Sequence, residues 1–186
     1  AAHCMLVEEH DIRQVDRYEI RGTLGEGAMG KVHLAFDPKL HREVALKVIS
    51  EAAAAKEKGR ERFHREARAI AALHHPNIVE IYDYSGPDSK YLYLVMERLQ
   101  GIDLFDLMDR WGALPEPIVA AIGHELSLAL EHAHNAGVIH RDLKPENVFV
   151  DNTGRVVLTD FGIAKAFTQD NLISAGPWTA KTEVIG

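Results

Sequence analysis

The stretch HRDLKPENVFV, residues 140–150, decides how the rest of this sequence is interpreted. It sets an arginine, an aspartate and a lysine almost side by side, reaches Asn147 after a proline, and closes on an apolar run typical of a β-strand. A solvated loop is one interpretation of such a charged cluster, and a catalytic loop is the other. The rest of the sequence must decide between these two interpretations.

Composition excludes several classes of protein. The chain has 186 residues, enough to bury a core in one domain or two small lobes. Its formal net charge of −7 argues against a nucleic-acid-binding protein, which would carry a basic stripe on its surface. The single Cys4 cannot form an internal disulfide, and the histidines lack the spacing of metal ligands.

Neither a membrane segment nor an export signal is visible in the sequence. No apolar run approaches the ~20 residues that cross a bilayer, and no basic start leads into an apolar core with a cleavage site. We therefore expect a cytoplasmic chain. A membrane anchor in any longer protein that continues past Gly186 stays open.

The first half of the chain has the residue pattern of an antiparallel sheet. Apolar side chains that alternate or run continuously predict strands at residues 18–20, 32–36, 44–49, 78–82 and 91–96. A helix over residues 52–73 is predicted between the third and fourth of these strands.

After Gly101 the hydrophobic period changes to that of helices. A short helix is predicted around Leu104 to Met108, and a long one runs from Pro115 and stops near Gly137. We therefore expect an α+β chain of two lobes, with an antiparallel sheet and one helix first and a mainly helical part after it. A small ligand would bind in the crevice between two such lobes.

The glycines from Gly25 to Gly30 fit the pattern G-x-G-x-x-G-x-V. A dinucleotide-binding turn also uses G-x-G-x-x-G, but it requires a helix directly after the glycines. Here the apolar positions from Val32 to Phe36 continue at period two, so the glycines belong to a hairpin between strands. This pattern favours a flap over phosphates, while a glycine-rich turn without a ligand is the alternative.

Two charges stand at apolar positions and predict an ion pair. Glu66 falls on the apolar face of the predicted helix, and Lys47 interrupts an otherwise apolar strand. Because an unpaired buried charge costs several kcal/mol, pairing Glu66 with Lys47 would solve both problems.

These motifs, taken in order, resemble those of the protein kinases, and most closely their bacterial serine/threonine members. The resemblance spans roughly residues 18–186, and Lys144, two residues after Asp142, is typical of the serine/threonine branch. It implies a bilobal kinase-like fold with an N-terminal extension (1–16), an N-lobe of sheet and one helix (17–96), a hinge (97–101) and a partial, mainly helical C-lobe (102–186).

The resemblance implies that ATP binds in the cleft. The flap over its phosphates would be formed by Gly25, Glu26, Gly27, Ala28, Met29, Gly30, Lys31 and Val32. Adenine would contact Leu24, Val32, Ala45 and Phe149, with Met96 as gatekeeper and with hydrogen bonds to the backbone of Glu97 and Leu99. Asp103 would contact the ribose.

The resemblance also assigns the catalytic roles. Lys47, held by Glu66, would bind the α- and β-phosphates, while Asn147 and Asp160 would hold Mg²⁺. Asp142 would accept the proton of a substrate Ser or Thr hydroxyl, and Lys144 would stabilise the γ-phosphate.

Arg141 raises the question of regulation, because a cation beside the catalytic aspartate needs an anion near it. In the family that anion is a phosphate on the activation segment. Thr182 is the first candidate for phosphorylation and Thr179 the second. Protein substrates are the implied partners, together with a dimer in which one copy phosphorylates the other.

Three functions stay open at this point: a serine/threonine protein kinase, a non-catalytic ATP-binding or interaction module, and a small-molecule kinase. Small-molecule kinases carry His-Gly-Asp where this chain has residues 140–142, which favours the first. The chain ends at Gly186, ahead of the Ala-Pro-Glu motif and helices with which the family continues. We therefore expect a fragment with little or no kinase activity on its own.

Overall fold

A computed structural model of the chain describes residues 12–27, 30–50, 54 and 59–162. Its first part contains six strands and a helix: β1 (Gln14–Val15), β2 (Tyr18–Gly27), β3 (Gly30–Asp37), β4 (Arg42–Ile49), α1 (Gly59–Ala71), β5 (Ile81–Tyr84) and β6 (Tyr93–Met96). Its second part contains β7 (Gly101–Asp103), α2 (Leu104–Trp111), α3 (Glu116–Asn135), a 3-10 turn (Pro145–Asn147), β8 (Val148–Asp151) and β9 (Val156–Leu158).

The six strands of the first part form one antiparallel sheet in the order β1-β2-β3-β4-β6-β5. Both faces of this sheet are covered, because apolar side chains of β4 and β6 alternate between two buried clusters. On one face, α1 packs its buried side chains Phe63, Ala67 and Ile70. This places the central strand β4 between a helix and a second apolar layer.

On the other face, two tyrosines attach the start of the chain to the sheet. Tyr18 donates a hydrogen bond to Asp83 Oδ2, and Tyr93 donates one to Asp16 Oδ2, each at 2.7 Å. The two rings meet edge to face at 5.9 Å. Burial, with the hydrogen bonds to these carboxylates, raises the pKa of both phenols above the ordinary tyrosine value, so they act as donors.

The second sheet is the small antiparallel ladder β7-β8-β9, and it lies next to the helices. The long helix α3 buries Ile122, Ala129 and Ala133 in the same cluster as β8 and β9. Asp103 ends β7 and begins α2, where its carboxylate accepts a hydrogen bond from Asp106 N at 2.8 Å. This cap bond holds the start of α2 at the end of β7.

Residues 76–80 connect the two sheets. Asn77 donates from Nδ2 to Val156 O at 2.8 Å and accepts from Leu158 N at 2.8 Å through its backbone oxygen. Val79 N then donates to Leu158 O at 3.0 Å. A buried asparagine with both ends bonded therefore holds β9 against the segment that leads into β5.

The predicted α+β arrangement is confirmed, and two element boundaries differ from the prediction. The strand expected at residues 78–82 begins only at Ile81, because the backbone at Ile78 and Val79 bonds to β9. The helix expected over residues 52–73 is described from Gly59 and ends at Ala71. The division into extension, lobes and hinge stays a prediction. In the part of the chain that the structure describes, no helix could cross a membrane.

Gly101 provides a test of the junction between the two parts. A Cβ atom there would lie 2.1 Å from Val150 O and 2.7 Å from Asp151 Cα, so the β7–β8 ladder would have to open. We expect Gly101→Ala to lower the free energy of unfolding by about 1–3 kcal/mol in urea titrations.

Gly86→Ala is the matched control, since nothing lies within 4 Å of its added Cβ. It should change the free energy of unfolding by less than about 0.5 kcal/mol. Equal effects at Gly101 and Gly86 would show that the junction is not as tightly packed as described.

Candidate active site

A cavity of about 560 Å³ lies between the six-stranded sheet and the helical part. Twelve of the residues singled out by sequence reasoning line it: Gly25, Glu26, Gly27, Gly30, Val32, Lys47, Met96, Asp103, Asp142, Lys144, Asn147 and Asp160. The strongly charged members come from both sides of the crevice and from segments far apart in the chain. The fold therefore gathers into one cavity most of the residues that the motifs had singled out.

Seven other predicted residues do not line the cavity: Leu24, Lys31, Ala45, Glu66, Glu97, Leu99 and Phe149. Leu24 is half exposed, whereas Ala45, Leu99 and Phe149 pack in or against the main core. Ala28, Met29, Thr179 and Thr182 fall outside the described residues. The roles of all these residues stay predictions.

The sequence analysis singled out Val32 and Met96 but missed the other apolar side chains of the lining. Six apolar side chains contribute to it: Ile49, Ile70, Val79, Ile81, Leu94 and Phe161. They come from α1, from four segments around the sheet and from the chain after β9. Their periodicity predicted core positions, and nothing in the sequence distinguished a core position from one at the cavity wall.

The glycine-rich segment forms the hairpin that the sequence predicted. Across the β2–β3 ladder Glu26 faces Lys31 and Gly27 faces Gly30. Lys31 Nζ lies 3.5 Å from Glu26 Oε2. Gly30 has φ 137°, and a Cβ atom there would be 1.9 Å from Val48 O, so only glycine allows the hairpin to approach β4 this closely.

Lys47 crosses the cavity and pairs with Asp160. Its Nζ lies 2.7 Å from Asp160 Oδ1, although the two residues are 113 positions apart in the chain. The lysine side chain is only 15% exposed, so its charge needs a partner. Asp160 follows β9 with φ 54°, a left-handed conformation that turns its carboxylate into the cavity.

The predicted partnership of Lys47 with Glu66 is not what the structure contains. Glu66 Oε1 pairs instead with Nη2 of its neighbour Arg65, at 3.1 Å. The Glu66 side chain is 22% exposed, so it keeps some hydration and takes the partner adjacent in the chain. The predicted Lys47–Glu66 ion pair is thus replaced in this structure by the pairs Lys47–Asp160 and Arg65–Glu66.

A buried histidine supports the loop that begins at residue 140. His140 is 2% exposed, and its Nδ1 accepts a hydrogen bond from Asp142 N at 3.3 Å. With Nδ1 as acceptor, Nε2 carries the proton and donates to Thr159 O at 2.8 Å. The His140 ring also contacts the Phe161 ring at 4.7 Å, and the His140 carbonyl accepts from Gly162 N.

Asn147 holds the carboxylate of Asp142. Its Nδ2 donates to Asp142 O at 2.8 Å and to Asp142 Oδ2 at 3.1 Å. The backbone oxygen of Asn147 accepts from both the N–H and the hydroxyl of Thr159. Lys144 Nζ approaches the same Asp142 Oδ2 at 3.7 Å, so both side chains engage one oxygen of this carboxylate.

The arrangement fits a magnesium ion. Because Asn147 uses its amide nitrogen for Asp142, its amide oxygen is the end that could bind a cation, and the Asp160 carboxylate lines the same cavity. Among the described residues no group of three or more His, Cys, Asp or Glu side chains could hold a metal. A site with few protein oxygens suits Mg²⁺, which keeps several waters and binds phosphates of a substrate.

The chain is similar to known proteins over most of its length. The protein kinase domain family matches residues 18–184. A probable serine/threonine-protein kinase of Clostridium perfringens, CPE1738, is 41% identical over 157 residues, 84% of this chain and 23% of its own length. PknB of Mycobacterium leprae is 40% identical over 162 residues, 86% of this chain and 26% of its own.

Solved structures are similar as well. The PknI kinase domain of Mycobacterium tuberculosis superposes with a TM-score of 0.73 at 40% sequence identity, covering 81% of this chain and 61% of that chain. The chain spans about a quarter of the length of the curated relatives that it matches.

The hydrogen bonds of Asn147 can be tested by an isosteric change. Asn147→Asp removes the two bonds to Asp142 and sets a second carboxylate beside the first, so we expect a loss of about 3 kcal/mol in the free energy of unfolding at pH 7. Because like charges raise the pKa of such a pair, part of the loss should be recovered at pH 4.

Asn152→Asp serves as control, since Asn152 is an exposed turn residue whose backbone N–H bonds to Gln100. Urea unfolding of this variant should match the wild type within about 0.5 kcal/mol. An Asn147→Asp protein as stable as the control at pH 7 would contradict the described network.

Proposed function

The chain belongs to the protein kinase domain family, and from that premise we propose that it transfers the γ-phosphate of ATP to Ser or Thr hydroxyls of protein substrates. The proposal rests on one observation: five polar side chains from distant parts of the chain line the same cavity. They are Lys47, Asp142, Lys144, Asn147 and Asp160. The relatives are named serine/threonine kinases, which favours an enzyme over a non-catalytic binding module.

The nucleotide is proposed to bind with adenine toward the hinge and phosphates toward Lys47. Glu97 N already donates to Glu80 O at 3.0 Å, so its carbonyl, together with the Leu99 N–H, is left for the edge of adenine. Val32 and Met96 line the cavity on this side. At the other end the Lys47 ammonium would neutralise the α- and β-phosphates.

Transfer itself needs positioning and stabilisation of charge. The oxygen of the substrate hydroxyl bonds to the γ-phosphorus as the bond from that phosphorus to the departing ADP oxygen breaks. The hydroxyl proton passes to Asp142 Oδ1, while Asn147 and Lys144 hold Oδ2. The Lys144 ammonium, facing the cavity, stabilises the negative charge on the transferred group.

Asn147 and Asp160 are the residues that would hold Mg²⁺, which supplies charge neutralisation between the phosphates when bound. Phosphorylation at Thr182 or Thr179, a dimer for phosphorylation between copies, the two-lobe division and a cytoplasmic location complete the proposal. These parts rest on the sequence and on the resemblance.

The proposed base can be tested in the protein that contains this chain. Asp142→Asn removes the proton acceptor but keeps the side chain's shape, so we expect phosphate transfer to a Ser/Thr protein substrate to fall by about 10²–10⁴-fold. Transfer is measured with radiolabelled Mg-ATP, and ADP affinity, measured in parallel by calorimetry, should change little.

Asp109→Asn is the matched control, because Asp109 is an exposed carboxylate on α2 outside the cavity. Its transfer rate should equal that of the wild type. A wild type that transfers no phosphate, or an Asp142→Asn variant as fast as the control, would overturn the proposed function.

A further inference from the structure

Arg155 lies outside the cavity, yet it touches three separate segments around the hinge. It follows the turn between β8 and β9, where sequence reasoning had assigned no function. Its Nη2 donates to Glu97 Oε2 at 2.7 Å, its Nη1 to Pro76 O at 3.4 Å and its Nε to Asp151 Oδ2 at 3.0 Å. One guanidinium thereby connects the hinge, the segment before β5 and the β8–β9 turn.

The turn that carries Arg155 is itself fixed by Asp151. Oδ1 of this carboxylate accepts from the Thr153 hydroxyl at 2.6 Å and from the backbone N–H groups of Thr153 and Arg155 at 2.8 and 3.0 Å. These bonds, the one from the Thr153 hydroxyl foremost, lower the pKa of Asp151 to about 2. The guanidinium is therefore held by a permanent anion and is aimed at Glu97 before any ligand binds.

Both the carboxylate and the backbone N–H of Glu97 are hydrogen-bonded. Its Oε1 accepts from Glu80 N at 3.0 Å, and its own N–H donates to Glu80 O at 3.0 Å. Oε2 is the remaining carboxylate oxygen, and Arg155 occupies it. Since the side chain and the N–H of Glu97 are both bonded, the Cα atom from which its carbonyl projects is held in one place.

We propose that Arg155 is a positioning residue that clamps Glu97 and so orients its carbonyl toward the 6-amino group of adenine. This inference rests on the proposed nucleotide site and adds a determinant of base selectivity outside it. Arg155 suits the task because a planar guanidinium can bond two carboxylates and a carbonyl at once, which a lysine ammonium on a flexible stem does less well.

The test compares two nucleotides in the 186-residue chain. ADP carries the 6-amino group, and the 5′-diphosphate of purine riboside lacks only that group. We expect the wild type to prefer ADP by about tenfold in Kd, the effect of a well-placed hydrogen bond. Arg155→Met should reduce the preference to about threefold or less, and Arg155→Lys should give an intermediate value.

Arg17→Met is the matched control. Arg17 also bridges two carboxylates, Asp37 and Asp83, and its side chain is 41% exposed against 34% for Arg155, but neither carboxylate belongs to the hinge segment 97–101. It should reduce stability without changing the preference for ADP. Thermal unfolding of each variant shows that it is folded, and Arg155→Lys carries the test if Arg155→Met does not fold.

The outcomes separate the two proposals. A wild type that binds no ADP overturns the proposed function, and the clamp with it. A wild type that prefers ADP, with the full preference kept in both Arg155 variants, overturns the clamp alone. An equal loss of the preference for ADP in Arg17→Met also overturns the clamp, because a general loss of stability of the fold would then explain the result. Loss confined to the Arg155 variants supports it.

Discussion

The ion pair between Lys47 and Asp160 is the interaction on which the rest of the site depends. It joins the central strand of the large sheet to the residue that follows β9, so it spans the crevice between the two parts of the chain. An almost buried lysine without a partner would cost several kcal/mol. The Asp160 carboxylate on the opposite wall offsets this cost. The other cavity residues lie around the Lys47–Asp160 pair.

The loop over residues 140–147 is held in a different way, by a polar network in which the buried groups have partners. His140 bonds the backbone at both of its ring nitrogens, and Asn147 bonds Asp142 through its side chain and Thr159 through its backbone. Satisfied networks of this kind favour one arrangement over others. Asp142 is thus oriented in advance, which is what a reaction limited by positioning and charge requires.

Much of this could be predicted from the sequence, because the decisive signals are local. Period-two apolar residues after Gly30 distinguish a hairpin between strands from a strand–helix turn. The residue types of the charged loop 140–147 indicate the chemistry that we propose for it. The partner of Glu66 could not be predicted, because helix periodicity gives a face but not the distance to β4. Arg155 was missed for a related reason: it contacts Glu97 across 58 positions, and its turn has the composition of a solvated loop.

The cavity is proposed to be a nucleotide–magnesium site built on Asp160 and its neighbours. Calorimetric titration of ADP with and without millimolar Mg²⁺ tests it most directly. We expect Mg²⁺ to tighten ADP binding to the wild type and Asp160→Asn to abolish this gain. Affinity independent of Mg²⁺ in the wild type, or an undiminished gain in Asp160→Asn, would contradict it.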